Sequence, residues 1–145
     1  MSVPARLTLV TIGVAAVARA TAFYEALGWR KSSASQDAVS FFQLGGLGLS
    51  VFGRQALADD VGGSSHGEGF AGITLAINLE SEAEVDRVAT EWVSCGGTMV
   101  KQPHRAFWGG YSGYVADPDG HLWELAHNPG FVLHPNGSMQ LPPVS

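Results

Sequence analysis

Glu124 is the one carboxylate inside the apolar run Leu122-Trp123-Glu124-Leu125-Ala126, which directly follows Asp117-Pro118-Asp119-Gly120. A charged side chain in such a run must face water, pair with a cation, bind a metal or serve a ligand. A carboxylate partly withdrawn from water can act as a general base on a C–H or O–H. One that meets a ligand orients it, and one that is solvated or hydrogen bonded does no chemistry. All three readings stand for Glu124, the single candidate catalytic residue. Trp108 and Tyr111 flank Gly109-Gly110 in a segment that reads as a loop. They suit either a stacking wall for a planar or apolar ligand or aromatic packing at a subunit seam. The five histidines, His66, His104, His121, His127 and His134, are scattered without ligand spacing and do not form a zinc motif. His104 with Arg105 could contact an anion. Gly45-Gly46-Leu47-Gly48 lies between two strand-like runs rather than between a strand and a helix, so it is not a phosphate loop.

The elements that must carry these residues follow one pattern written twice. Leu7 to Ile12 is β-branched and strand-like. Ala15 to Leu27 is helix-forming, with Ala16, Ala20, Phe23 and Leu27 at helical spacing and Gly28 as its stop. Val39–Leu44 and Leu47–Phe52 read as strands joined by Gly45-Gly46. The order then repeats. Ile73–Ile77 reads as a strand. Ser81-Glu82-Ala83-Glu84 is a capping box opening a helix that ends at Gly96-Gly97, with Val85, Val88 and Trp92 as its apolar face. Thr98–Val100 is a short strand, and a hairpin closes about Asp117-Pro118-Asp119-Gly120. The chain thus reads as one domain of two βαβββ modules, residues 6–57 and 71–128. A Gly/Ser-rich linker covers 58–70, and a proline-punctuated tail covers 129–145, extended and available to a partner.

Strand alternation assigns each side chain to a helix-covered or an open face. In the first module Thr8, Val10 and Ile12 should be covered, leaving Leu9, Thr11, Gly13, Phe41, Gln43, Gly48 and Ser50 open. In the second, Ile73, Leu75 and Ile77 should be covered, leaving Gly72, Thr74 and Ala76 open. Pairing Ala116 with His121 about the last turn puts Gly113 opposite Glu124. The open face is then Tyr111, Gly113, Val115, Leu122, Glu124 and Ala126, with Tyr114, Trp123 and Leu125 in the core. The expected ligand-binding residues are accordingly Leu9, Thr11, Phe41, Gln43, Ser50, Gly72, Thr74, Trp108, Tyr111 and Glu124, a small, polar and aromatic lining suited to a small organic ligand.

Bulk properties set bounds on the partners. The 145 residues are 46% hydrophobic and only 14% charged, with a formal net charge of −5. With no lysine–arginine run, nucleic acid and anionic membrane are not expected partners. No apolar stretch approaches the ~20 residues that cross a bilayer, and the first six residues lack the order of a signal peptide. The single cysteine, Cys95, cannot make an internal disulfide and reads as a helix-end residue, so a cytoplasmic location is expected. The low charged fraction suggests that some surface is covered in an oligomer.

Ala18-Arg19-Ala20-Thr21-Ala22-Phe23-Tyr24-Glu25-Ala26-Leu27-Gly28-Trp29, the closing stretch Ala116 to Glu124 and the two-module order together resemble the vicinal-oxygen-chelate superfamily. That superfamily includes glyoxalase I, extradiol dioxygenases and the bleomycin- and fosfomycin-resistance proteins. The resemblance implies an α+β fold of two βαβββ modules forming an open curved mixed sheet around a cleft, usually in a homodimer. Metal-dependent members place ligands on the first and last strands of each module. The matching positions here are Leu9, Ser50, Gly72 and Glu124. Of these, only Glu124 is of a type that could bind a divalent ion firmly, and such an ion wants at least three protein ligands. No metal and no other cofactor is therefore expected, as in the antibiotic-binding members, and Glu124 can be a relic of the family pattern. The expected function is sequestering or modifying a small organic ligand. The alternative is a lyase, isomerase or dioxygenase of the glyoxalase type using a divalent metal or Glu124 as base.

Overall fold

The computed structural model describes residue 3 and residues 5–143. The chain divides between Gly67 and Glu68 into two compact units. It is an α+β protein with mixed sheets, and each unit is described by itself.

In the first unit, β1 (Leu9–Val14), β2 (Val39–Leu44) and β3 (Leu47–Gly53) form a sheet in the order β1-β3-β2. β1 runs parallel to β3 and β2 antiparallel to it. β2 and β3 meet at Gly45-Gly46, where Gly45 takes φ +60 at the first turn position, the pattern of a II′ hairpin. Helix α1 (Val17–Ala26) covers one face with Ala20, Thr21, Phe23 and Tyr24. Its end is a Schellman motif. Gly28, at φ +95, donates to Glu25 O, and Trp29 N donates to Tyr24 O. The motif's apolar contact is aromatic, with Trp29 stacked on Tyr24 at 5.2 Å between ring centroids. Ile12, Val14, Phe42, Leu49 and Val51 complete this core. Thr21 Oγ1 and Ser40 Oγ satisfy each other inside it at 2.8 Å.

Two expectations for this unit need correction. The segment after α1 contributes no full strand, only single bridges at Lys31–Phe42 and Gln36–Val39. Ser35 Oγ accepts from Phe41 N, a bond that a strand ladder would make, while Ser32 Oγ accepts from Ala34 N in a local turn. The unit is therefore one strand short of βαβββ. The linker reading at 58–70 begins too early, because α2 (Arg54–Val61) runs into it and stops at Gly62 with φ +85. The glycine-rich stretch beyond is pinned back on α2 by Arg54 Nε, which donates to Ser65 O at 2.8 Å, and by Ser65 Oγ, which donates to Gln55 Oε1 at 2.9 Å.

In the second unit, β4 (Leu75–Asn78), β5 (Thr98–Arg105), β6 (Tyr111–Ala116) and β7 (Leu122–His127) form a sheet in the order β4-β7-β6-β5. Helix α3 (Glu82–Ser94) packs on one face through Val85, Ala89 and Trp92. Its Ser81 cap accepts from Glu84 N at 3.1 Å, and Gly96 and Gly97 close it by donating to Val93 O and Trp92 O. Trp92 is buried against Trp123, and its indole N–H donates to Ala116 O at 2.8 Å. The edge strand β5 extends to Arg105, well past the expected Val100. It accommodates Pro103 through register shifts between Met99 and Lys101 and between Lys101 and His104.

The expected strand at Ile73 starts instead at Leu75. Positive φ values at Gly67, Gly69 and Gly72 keep the lead-in off the sheet. Ile73, expected under the helix, is 69% exposed. The tail is not simply extended, since β8 (Val132–Leu133) pairs with β9 (Met139–Gln140). Three loops of this unit share one construction: Phe107-Trp108-Gly109, Pro118-Asp119-Gly120 and Pro135-Asn136-Gly137. In each, the backbone N–H of the residue before the loop donates to the carbonyl of the residue after it, and its carbonyl accepts from the N–H of the loop's glycine, whose φ is +95, +85 and +86 respectively. This is the three-residue hairpin with a left-handed glycine bulge.

Candidate functional site

That shared loop construction decides what surrounds Glu124. Asp117 N donates to His121 O and Gly120 N to Asp117 O, so Asp117 itself pairs with His121 across an odd-numbered loop. The buried Asp117 carboxylate reinforces the turn by accepting from Asp119 N at 2.9 Å and His121 N at 2.8 Å. Ala116 therefore opposes Leu122, and Tyr114 opposes Glu124. The expected register was one residue out, and a slip of one moves every side chain to the other face.

The face turned away from α3 carries Ser112, Tyr114 and Ala116 on β6 with Leu122, Glu124 and Ala126 on β7. Ala76 and Asn78 join it from β4, and Lys101 and His104 from β5. Val115, expected on this face, is fully buried on the other beside Trp123. Tyr111, expected to line a ligand site, also lies on the α3 side, where its hydroxyl donates to Asp86 Oδ1 at 2.7 Å. That bond, then burial, then nearby negative charge hold the Tyr111 phenol above its usual pKa. Tyr114, expected in the core, is half-buried next to Glu124. Burial first, then the Glu124 charge, then hydrogen bonding to that carboxylate raise its pKa. Reading the glycine of the Asp-Pro-Asp-Gly turn as a bulge would have found Tyr114 from the sequence. His104 and Lys101 were missed because β5 was ended too soon.

Gly72 and Thr74, expected on a sheet face, precede β4 and are exposed, with Gly72 at φ +80. Trp108 caps the β5–β6 hairpin, 43% exposed, with its ring over Gly110, where a Cβ would meet it at 1.7 Å. Phe107 beside it is fully exposed.

In the first unit the register agrees with expectation. Gln43 pairs with Gly48 and Phe41 with Ser50, while Leu9 pairs with Gly48 and Thr11 with Ser50. Leu9, Thr11, Phe41, Gln43 and Ser50 thus share the face away from α1. Thr8, expected to be covered, is exposed ahead of β1. Leu9, Phe41, Gln43 and Gly48, with Thr8, Ser32, Phe42, Gly46 and Leu47, line a hollow of about 400 Å³. Thr11 and Ser50 stand on the same face outside that lining. Gln43 spends its amide N–H groups on its own hairpin, donating to Gly45 O at 2.7 Å and Leu47 O at 3.2 Å.

The donor set at the four positions matched to metal ligands fails a chemical test. Leu9 has no donor atom, Gly72 has no side chain, and Ser50 offers a neutral hydroxyl; Glu124 alone is a carboxylate. Among the described residues, no group of three or more His, Cys, Asp or Glu side chains is placed to hold a metal ion. No chemical step can be routed through a metal on these residues.

The fold has solved counterparts. A crystal structure of a glyoxalase-related enzyme from Fulvimarina pelagi is similar with a TM-score of 0.87 and 31% identity, covering 95% of this chain and 99% of that one. A glyoxalase/bleomycin resistance protein/dioxygenase family enzyme from Burkholderia phytofirmans PsJN gives 0.75 and 17%, covering 83% and 96%. Lactoylglutathione lyase from Agrobacterium tumefaciens gives 0.66 and 22%, covering 86% and 95%. The last two speak for the fold alone. No curated protein matches the chain. The family model for the Glyoxalase/Bleomycin resistance protein/Dioxygenase superfamily matches residues 6–125, and with the duplicated sheet-and-helix order and the Asp-Pro-Asp-Gly hairpin leading to Glu124, the chain belongs to that superfamily.

Proposed function

We propose that this chain binds a small organic molecule without a resident divalent metal, with Glu124 as the polar anchor. The observation that carries this reading is the set of residue types at the four matched positions, one carboxylate with a leucine, a serine and a glycine. The hollow of about 400 Å³ in the first unit supports it, since small-molecule sites run from ~300 to 1,000 Å³. Leu9 and Phe41 offer apolar and aromatic contact there. Gln43, Thr11 and Ser50 supply polar groups on the same face of that unit; in the second unit, by itself, Trp108 offers a stacking surface at its hairpin tip. Tyr111 is left out, since its hydroxyl is bound to Asp86.

The test is a thermal-shift screen of small organic compounds followed by calorimetry. A ligand at a hundredfold excess over its Kd should add about 2.7 kcal/mol of stability. Phe41→Ala should weaken a ligand held in the first unit's hollow, and Glu124→Gln a ligand held on the second unit's open face. Equal binding by the wild type and both variants would refute the reading.

A second reading, a glyoxalase-type enzyme with Glu124 as general base, draws support from the description of the 31% identical Fulvimarina pelagi protein as a glyoxalase-related enzyme. On any substrate found, Glu124→Gln should then abolish turnover, and unchanged rates would eliminate the role. We also infer a homodimer. The exposed apolar side chains Phe70, Ile73, Phe107 and Trp108 support it, as does the 14% charged fraction. Native mass spectrometry should show a dimer, and a monomer alone at micromolar concentration would count against it. No helix among the described residues is long and apolar enough to cross a membrane. A cytoplasmic location draws support from Cys95 being the only cysteine.

A further inference from the structure

Gln43 is exposed near the end of β2, yet its amide is held in one orientation. Its Nε2 donates to Gly45 O at 2.7 Å and to Leu47 O at 3.2 Å. Turned end for end, the amide would set its oxygen against two carbonyl oxygens, so the hairpin itself decides which end is which. Both N–H groups are spent, and Oε1 accepts from no group among the described residues. Gln43 lines the hollow of about 400 Å³ together with Leu9, Ser32, Phe41, Phe42 and Leu47. A Cβ at Gly48 would lie 3.0 Å from Leu9 Cδ1, so glycine there makes room for the Leu9 side chain. Ser32 Oγ accepts from Ala34 N at 3.1 Å and keeps its own proton to donate. Among the described residues, no Lys, Arg, His, Asp or Glu lines the hollow, and Lys31, next to Ser32, is exposed outside that lining. A charged group placed against these apolar side chains would lose water and gain no counter-charge.

We propose that the first unit's hollow selects an uncharged aromatic carboxamide, whose N–H donates to Gln43 Oε1 while its ring lies against Leu9 and Phe41. The inference rests on the small-molecule reading above and adds the chemistry of the group held in this unit. The carboxamide oxygen can accept from the Ser32 hydroxyl, so the ligand's donor and acceptor both find complements in the lining. A carboxylate of the same shape has no proton to give Gln43 and carries an unbalanced charge. An amidinium has the protons but brings a charge that nothing in the lining offsets. An ester has neither charge nor donor, and so isolates the bond to Gln43.

The experiment titrates full-length, nitrogen-15-labelled protein with benzamide, methyl benzoate, benzoate and benzamidinium at millimolar concentration and follows the backbone amides of Leu47 and Gly48. Benzamide should shift them and bind about three- to tenfold more tightly than methyl benzoate, the range one hydrogen bond supplies. Benzoate and benzamidinium should both bind more weakly than benzamide. Gln43→Met keeps the side-chain length and removes the acceptor. It should weaken benzamide to the level of methyl benzoate and leave methyl benzoate unchanged. Gly46 also lines the hollow, lies outside the left-handed region, and has nothing within 4 Å of a Cβ built on it. Gly46→Leu should therefore fold as the wild type does and lose benzamide. Benzoate or benzamidinium binding as tightly as benzamide overturns the ligand class. Equal weakening of benzamide and methyl benzoate in Gln43→Met overturns the role of Gln43, and full benzamide binding by Gly46→Leu overturns the location. If no probe shifts these amides while the thermal-shift screen still yields a ligand, this inference fails and the broader reading stands; if the screen yields none either, both fail.

Discussion

Two glycines show how closely the second unit is packed. A Cβ at Gly113 would lie 2.7 Å from Lys101 O and 2.7 Å from Pro103 N, both backbone atoms of β5. Gly113→Ala should therefore cost about 1–3 kcal/mol, read from chemical denaturation, and displace β5 with its Lys101 and His104. A Cβ at Gly97 would come within 2.2 Å of the Trp92 ring and 2.8 Å of Ala116 O. Tyr111 and Tyr114 both have phenol pKa values raised above the ordinary 10.0. The folded state therefore holds these protons more tightly than the unfolded chain. Their contribution is fully present below the unfolded value and is lost as pH rises through the folded values. Stability followed by denaturation from pH 8 upward should fall beyond about pH 10, less so in Asp86→Asn. At this scale Glu124 was legible, because a lone carboxylate in an apolar strand is conspicuous. Its neighbour Tyr114 was not, because its face depends on whether the preceding loop has an even or odd number of residues.

Elements were legible where the backbone leaves a chemical signature. Gly28 and Gly96 end their helices in left-handed conformations, and Ser81 caps α3 as its spacing from Glu84 indicated. Ser81→Ala should lower stability by about 1 kcal/mol, measured by thermal or urea unfolding. The three-residue hairpin loops were harder to read, since the same four residues fit an even loop equally well on paper. Gly120 settles it with its φ of +85 and its bond to Asp117 O. A side chain there is strained by ~1–2 kcal/mol. α2 was missed because Arg54–Val61 buries no residue fully and so lacks the apolar stripe that marks a helix in sequence. The absent strand after α1 was masked by serines, which resemble loop and strand-edge residues alike.

For the whole molecule, the duplicated order was visible in sequence, and the chain does divide between Gly67 and Glu68. The two halves are nevertheless unequal, with three sheet strands in the first and four in the main sheet of the second. The boundary segment is exposed except at Ser65 and is tethered by Arg54. Glutamyl endopeptidase should cut after Glu68 under native conditions, and Arg54→Ala should quicken that cut, as followed by intact-mass spectrometry; unchanged kinetics would mean the tether is idle. Superfamily membership fixes the fold but not the chemistry, which lives in the side chains at the site. The residue types at the four matched positions, Leu9, Ser50, Gly72 and Glu124, underlie the proposal that ligand binding proceeds without a bound divalent ion. The most direct check is elemental analysis of protein purified without chelator and dialysed. The expected result is zinc, nickel, iron and manganese each far below one per chain; one equivalent of any of them, released by Glu124→Gln, would contradict the claim.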